Sequence, residues 1–302
     1  MARRAHPTLW RTHNFLKRPD LVDQLLDRSR IGRHDVVYEI GAGTGTITDR
    51  LAARCHRVLA IEKDPSLCET LRRRFADRPN VDVRCADFLE HPLPRARYKV
   101  FANPPFDITT ATVTKLVSAA VPPEDAFLAV QREAADRYLG RPSETLYALL
   151  LKPWFAPSIV HRFRRSDFTP APGVDVVMLR LRKRGPPLVA AEHAQLYRDF
   201  VVACFTTWQP SVGAALARAI GAQPADAVMR AAHVQPRARP RDVPFRAWLQ
   251  LFRAVMGSRG NPIRRVAGAE ARLRRQQGRL RKRHRTRVTG PPHQHSVAQG
   301  AA

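Results

Sequence analysis

Short apolar segments alternate with amphipathic segments over the first 182 residues of the chain. The apolar runs have the length of buried strands, and residues 47–55, between the first two runs, carry apolar side chains at helical spacing. The predicted strands are residues 35–40, 57–61, 81–85, 98–102, 159–168 and 174–181, of which the last two form a hairpin. Strands that alternate with helices predict an α/β domain built on a parallel sheet.

The pattern changes after residue 182. Gly185, Pro186 and Pro187 form a predicted linker, and residues 188–257 carry apolar side chains at helical spacing. After residue 257 basic residues dominate, and the 32 residues that follow Glu270 contain nine basic side chains and no acidic one. We therefore predict three parts: a first domain over residues 1–182, a helical domain over 188–257, and a disordered basic tail over 258–302.

A glycine-rich turn follows the first predicted strand of the α/β domain. Gly41, Gly43 and Gly45 stand between that strand and the helix, as in the first unit of nucleotide-binding α/β folds. Thr46 stands where a dinucleotide-binding turn would have its third glycine or an alanine. The turn therefore indicates a nucleotide-like ligand and argues against a nicotinamide-dependent oxidoreductase.

Acidic residues end or follow the next two predicted strands. Glu62 lies twenty-one residues after Gly41, where a carboxylate accepts hydrogen bonds from both hydroxyls of a ribose. Asp87 follows the third strand, where it can accept from an adenine amino group. Taken singly, each acid is more often a solvated charge. Together with the glycine turn they predict an adenosine-containing cofactor, and S-adenosylmethionine fits best.

The fourth strand ends in Asn103, Pro104, Pro105 and Phe106. The Asn103 side-chain oxygen and the Pro104 carbonyl are two acceptors on a rigid backbone, and Phe106 offers a flat ring for stacking. We call Asn103–Phe106 the acceptor ledge. It suits the exocyclic amine of a base, although a proline turn at a strand end is the simpler alternative.

These motifs resemble those of the rRNA adenine N6-methyltransferase family, which holds the Erm resistance enzymes and their small-subunit relatives. Residues 13–16 are similar to the family's Q-N-F-L motif, with His13 in place of Gln, and residues 102–106 with the following I-T-T are similar to its catalytic motif. Residues 168–175 resemble its F-x-P-x-P-x-V-[DN] segment. The resemblance implies a Rossmann-like class I S-adenosylmethionine-dependent methyltransferase with a smaller C-terminal helical domain.

The resemblance also implies roles for individual residues. Asn14 and Leu16 would join Gly41, Gly43, Gly45, Glu62, Asp87 and Asn103 in binding the cofactor. Asn103, Pro104 and Phe106 would be catalytic, and Phe106 and Phe168 would hold the target base. For Phe168, a place in the core of the hairpin remains an equal alternative.

The I-T-T continuation at Ile108 and the segment that begins at Phe168 favour the Erm branch. That branch implies methyl transfer to N6 of an adenine in 23S rRNA, before the ribosome is fully assembled, and resistance to macrolides, lincosamides and streptogramin B. A small-subunit rRNA adenine dimethyltransferase, a DNA adenine methyltransferase and a non-catalytic RNA-binding relative remain alternatives.

The charge of the chain supports a nucleic-acid partner. The 52 basic and 26 acidic residues give a formal net charge of +26, which favours a polyanion, and we expect the helical domain to bind RNA. The tail is then either an arm on RNA phosphates or a dispensable extension.

With no apolar stretch of membrane-spanning length, we expect a cytoplasmic monomer without membrane contact. The four cysteines lack C-x-x-C spacing, so we expect reduced thiols and no metal site.

Overall fold

A computed structural model describes residues 14–206 and 209–284, of which residues 278–284 are described by their backbone only. The chain divides into two units, residues 1–190 and 191–302. The strands are β1 (Phe15–Leu16), β2 (Val36–Ile40), β3 (Arg57–Glu62), β4 (Val81–Cys85), β5 (Lys99–Ala102), β6 (Asp125–Gln131), β7 (Phe155–Arg162), β8 (Phe168–Thr169) and β9 (Val176–Lys183). The helices are α1 (Pro19–Ser29), α2 (Thr46–Ala52), α3 (Pro65–Arg74), α4 (Thr109–Val117), α5 (Arg132–Leu139), α6 (Leu146–Leu151), α7 (Ala194–Phe205), α8 (Val212–Ile220), α9 (Ala222–Ala231), α10 (Phe245–Met256) and α11 (Ala269–His284).

The first unit is built on a seven-stranded sheet with the strand order β4-β3-β2-β5-β6-β9-β7. The five strands from β4 to β6 are parallel, and β9 pairs antiparallel with both β6 and β7. Helices α1, α2 and α3 cover one face, whereas α4, α5 and α6 cover the other. Because both faces are covered, the central strands are largely apolar, and six of the seven residues of β6 are buried. The predicted Rossmann-like α/β fold is confirmed.

A second, two-stranded sheet joins the beginning of the described chain to its middle. β1 pairs antiparallel with β8, with Phe15 opposite Thr169 and Leu16 opposite Phe168. The predicted strand 159–168 is therefore two elements, because β7 ends at Arg162 and Phe168 belongs to a different sheet. Phe168 is 2% exposed, and its ring meets the Phe163 ring edge-on at 5.2 Å. His13 lies outside the described residues.

One cysteine expectation is wrong. Cys68 on α3 and Cys85 at the end of β4 form a disulfide, with Cα atoms 5.6 Å apart and a sequence separation of 17. Spacing along the chain could not predict this pair, because it depends on the packing of α3 against β4. Cys55 and Cys204 are free and buried.

The second unit is helical, as expected, but it continues beyond residue 257. Ile263, Val266 and Ala269 are buried, and α11 begins at Ala269. The prediction of disorder from residue 258 is therefore wrong as far as residue 284, while residues 285–302 lie outside the described part of the chain. None of the described helices is long and apolar enough to cross a membrane.

The buried carboxylate of Asp199, on α7, fixes the beginning of α11. Its oxygens accept from the backbone N–H of Gly268 at 3.0 Å and from that of Glu270 at 2.9 Å. The side chain of Asp199 is 3% exposed, so it acts as a capping group supplied by another helix. The composition of the tail cannot reveal this cap, because the capping carboxylate lies about 70 residues away in sequence.

We expect Asp199→Ala to lower the free energy of unfolding of the helical unit by about 2–4 kcal/mol, since two buried N–H groups lose their acceptor. Protection of the α11 amides from hydrogen exchange should fall with it. Asp226→Ala, at an exposed position on α9, is the matched control and should change neither quantity. Unchanged protection of α11 in Asp199→Ala would contradict the assigned role.

Candidate active site

The polar residues predicted at strand ends meet at one edge of the sheet. β4, β3, β2 and β5 are parallel neighbours, so their carboxyl ends place Asp87, Glu62, Gly41 and Asn103 along a single edge. A pocket of about 300 Å³ opens there between Glu62, Asp87 and Gly41. A smaller pocket adjoins it and is lined by Asn14, Phe15, Gly41 and the acceptor ledge. Gly41, Phe15 and Pro105 line both pockets.

The glycine turn shapes the boundary between the two pockets. Gly41 has φ +72°, and a Cβ there would lie 3.5 Å from the Asn103 carbonyl oxygen. Gly43 has φ +57°, and a Cβ there would lie 2.6 Å from the Phe15 ring. Only glycine satisfies both the left-handed backbone and the close approach of Phe15. Gly43 and Gly45 therefore shape the turn, and Gly41 alone of the three lines the pockets.

Glu62 is buried at the floor of the larger pocket, where it is 2% exposed. One carboxylate oxygen accepts from the backbone N–H of Gly43 at 2.9 Å. The other accepts from the backbone N–H groups of Lys63 at 2.8 Å and Asp64 at 2.9 Å. A carboxylate has about four acceptor sites, so capacity for a ligand hydroxyl remains beside the glycine turn.

Asp87 lies across the pocket from the turn. Its carboxylate accepts from Lys63 Nζ at 2.7 Å and from the backbone N–H of Leu89 at 2.8 Å. The hydrogen bond from Lys63, followed by that from Leu89, lowers the pKa of Asp87 below its ordinary value. The group is therefore an ionised acceptor at neutral pH. Sequence reasoning missed Lys63, although its position directly after Glu62 at a strand end was the available signal.

The structure orients the side-chain amide of Asn103. Its Nδ2 donates to the backbone oxygen of Asn14 at 2.6 Å. Among the described residues nothing donates to Asn103 Oδ1 or to the Pro104 carbonyl oxygen. The ledge thus presents two acceptors to the small pocket, beside the half-buried ring of Phe106.

Asn14, the residue directly before β1, stabilises this arrangement. Its Nδ2 donates to the Pro170 carbonyl oxygen at 2.7 Å, just after β8, while its own carbonyl holds Asn103. The side chain of Asn14 is therefore engaged by the protein, and the residue positions the ledge.

Two residues expected at the site lie in the core instead. Leu16 is 3% exposed and Phe168 is 2% exposed, and neither lines either of these two pockets. Side chains alternate along a strand, so Phe15 faces the pockets while Leu16 faces inward against Phe168. Of the two alternatives for Phe168, its burial supports the place in the core. Phe15 is the residue that sequence reasoning missed, and strand alternation was the signal.

A second buried acid lies under the glycine turn. Glu39, on β2, accepts from the Thr48 hydroxyl at 2.6 Å through one oxygen, and its other oxygen has no partner within the described chain. Burial raises the pKa of Glu39 to about 8. Burial therefore favours the protonated form of this carboxyl.

The larger pocket fits S-adenosylmethionine. Glu62 retains acceptor capacity for ribose, Asp87 is an ionised acceptor, and the apolar side chains of Ile61, Phe88 and Ile108 offer walls for a flat base. Within the described residues, no group of three His, Cys, Asp or Glu side chains is arranged to hold a metal ion.

Comparison with known proteins agrees with this geometry. The ribosomal RNA adenine dimethylase family model matches residues 11–256. The probable ribosomal RNA small subunit methyltransferase A of Thermococcus kodakarensis is 33% identical over 214 residues, which cover 70% of this chain and 74% of that protein. An rRNA adenine N-6-methyltransferase of Bacillus licheniformis is 31% identical over 56% of this chain and 59% of its own length.

Among solved structures, the 23S rRNA methyltransferase ErmE superposes with a TM-score of 0.73 and 29% identity, covering 80% of this chain and 99% of ErmE. The family match spans most of the chain, and the strand-end residues fit the cofactor. The chain therefore belongs to the ribosomal RNA adenine dimethylase family and is an S-adenosylmethionine-dependent rRNA adenine methyltransferase.

Proposed function

We propose that the chain methylates N6 of an adenine in 23S rRNA and thereby confers resistance to macrolides, lincosamides and streptogramin B. The observation that carries the chemistry is the hydrogen bond that Asn103 Nδ2 donates to the Asn14 carbonyl oxygen. We call this hydrogen bond the clamp, because it fixes the orientation of the Asn103 amide. That clamp leaves Asn103 Oδ1 and the Pro104 carbonyl free to accept the two N–H bonds of one exocyclic amine.

The acceptor ledge addresses the weakness of adenine N6 as a nucleophile. The N6 lone pair is delocalised into the ring, and the base must leave its helical context to be reached. Asn103 Oδ1 and the Pro104 carbonyl hold the amine and stabilise the positive charge that develops on N6, while Phe106 stacks on the ring. S-adenosylmethionine, when bound, supplies a methyl group already activated by its sulfonium.

Each site residue then has a proposed role. Gly41, Glu62 and Asp87 hold the cofactor, while Gly43 and Gly45 shape the turn against which it lies. Asn103, Pro104 and Phe106 hold the target adenine. Asn14 positions Asn103, and Leu16 with Phe168 ties β1 to β8 beneath it.

Two observations support the large-subunit target. The Ile108–Thr110 continuation after the ledge is similar to the Erm pattern, and the match to ErmE runs over nearly the whole of that chain. The alternative is a small-subunit rRNA adenine dimethyltransferase, which is supported by the likeness to the Thermococcus protein.

Expression in a drug-sensitive bacterium tests the proposal. Cells that make the wild-type protein should grow in macrolide and lincosamide at concentrations that stop cells making Asn103→Ala. Primer extension should stop at one adenine of 23S rRNA in the first cells only. Drug sensitivity in both strains, with a stop in 16S rRNA, would overturn the large-subunit target and favour the alternative.

A further inference from the structure

Tyr147, in the first turn of α6, is the large hydrophobic side chain that stands out on the surface of the described chain. It is 41% exposed. The turn beneath it is fixed, since Thr145 Oγ1 accepts from the Ala148 N–H at 3.1 Å and donates to the Arg137 carbonyl at 2.5 Å. The Tyr138 ring meets Tyr147 edge-on, with centroids 5.8 Å apart. The exposed ring is thus held in a defined place.

One arginine covers a face of this ring. The Arg137 guanidinium lies over it, 5.5 Å from the ring centroid, and Arg141 follows four residues later in the chain. In the described part of the protein neither arginine forms an ion pair. The neighbouring acids are engaged elsewhere, Asp136 by Arg132 at 3.6 Å and Glu144 by Lys152 at 2.6 Å. Among the described residues, the Arg137 guanidinium beside Tyr147 is therefore not ion-paired, and the exposed Glu133 lies one helical turn before it.

The elements that carry Tyr147 and the acceptor ledge pack against the same face of the sheet. Tyr138, which contacts Tyr147, lies in the same core cluster as Val113 and Leu116 of α4. The short 3-10 helix Phe106–Ile108 joins α4 directly to the ledge. The ledge and Tyr147 are therefore carried by elements that pack on the same face of the sheet.

We infer that Tyr147 and Arg137 form a stacking site for a second, unpaired nucleobase of the RNA, an inference that rests on the proposed function. A flat aromatic ring beside a guanidinium is the surface on which proteins stack unpaired bases. Arg137 occupies one side of the Tyr147 ring and Tyr138 its edge, so the remaining exposed face receives the base. Arg137 and Arg141 bind the adjoining phosphates.

Full-length protein and a single-stranded twelve-nucleotide RNA carrying one 2-aminopurine test this site. Tyr147→Ala should weaken binding by roughly 5- to 100-fold, because stacking on one base is lost, and should leave the salt dependence of affinity unchanged. Tyr147→Phe keeps the ring face and should bind as wild type does. Arg137→Ala should weaken binding. It should also reduce the steepness of the plot of log affinity against log salt concentration by about one. Quenching of 2-aminopurine should be lost only in Tyr147→Ala.

Measurements of methyl-transfer kinetics distinguish a failure of this inference from a failure of the proposed function. Tyr147→Ala should raise KM for rRNA, with kcat and affinity for S-adenosylmethionine retained, because the residue touches neither the ledge nor the cofactor pocket. Tyr147→Ala protein that binds and methylates RNA as wild type does would overturn the stacking site alone. Wild-type protein that binds the probe through Tyr147 but methylates no rRNA would overturn the proposed function instead.

Discussion

Asn103→Ala should lower the rate of methyl transfer to rRNA by about 100- to 1,000-fold, the usual loss when one preorganised polar group leaves a reacting centre. The Oδ1 acceptor vanishes, so N6 is held by the Pro104 carbonyl alone and its lone pair is no longer aligned. Transfer of tritium from labelled S-adenosylmethionine to rRNA under single-turnover conditions measures the chemical step directly.

Two controls separate catalysis from folding in that experiment. The substitution also removes the hydrogen bond from Asn103 to the Asn14 carbonyl, so the free energy of unfolding should fall by about 0.5–1.5 kcal/mol. Asn14→Ala keeps that backbone carbonyl and should cost much less activity. If Asn103→Ala protein, folded and saturated with cofactor, transfers methyl groups nearly as fast as wild type, the ledge does not hold the target amine.

Glu62→Ala should weaken S-adenosylmethionine binding by about 2–4 kcal/mol, as measured by calorimetry. The change removes the proposed ribose acceptor and also leaves the N–H groups of Gly43, Lys63 and Asp64 without their partner, so the glycine turn loses its anchor. Asp87→Ala should cost less, about 1–3 kcal/mol, because it removes a single acceptor at the other end of the pocket.

Glu62→Gln provides the graded comparison. The amide keeps one acceptor oxygen in nearly the same shape but loses the other, so its affinity should fall between those of wild type and Glu62→Ala. Equal affinities in all three proteins would remove Glu62 from the cofactor site and would leave its carboxylate a purely structural anchor for the turn.

The sequence predicts those site residues whose position follows from the residues next to them in the chain. The glycine turn, Glu62, Asp87 and the acceptor ledge each follow a strand directly, and the rule that parallel strands end at one edge brings them together. The partner of each group was not predictable in this way. The clamp of Asn103 by Asn14 joins residues 89 positions apart, and it depends on a two-residue strand too short to give a periodic signal.

The error over the tail has the same physical origin. Residues 258–284 are poor in apolar side chains and rich in arginine, so composition favours disorder. Their order depends on a few buried contacts, with Ile263 and Val266 in the core of the helical unit and Asp199 at the beginning of α11. A single distant carboxylate outweighs what local composition suggests.

The pairing of β1 with β8 gives the enzyme a weak point that is separate from its global stability. Each strand is two residues long, yet their pairing positions the Asn14 carbonyl oxygen that accepts from the Asn103 side-chain amide. Strands this short open by local fluctuations far smaller than global unfolding. When they part, the amide of Asn103 is free to rotate while the seven-stranded sheet stays intact. We therefore expect methyl transfer to be lost on warming before the seven-stranded sheet unfolds.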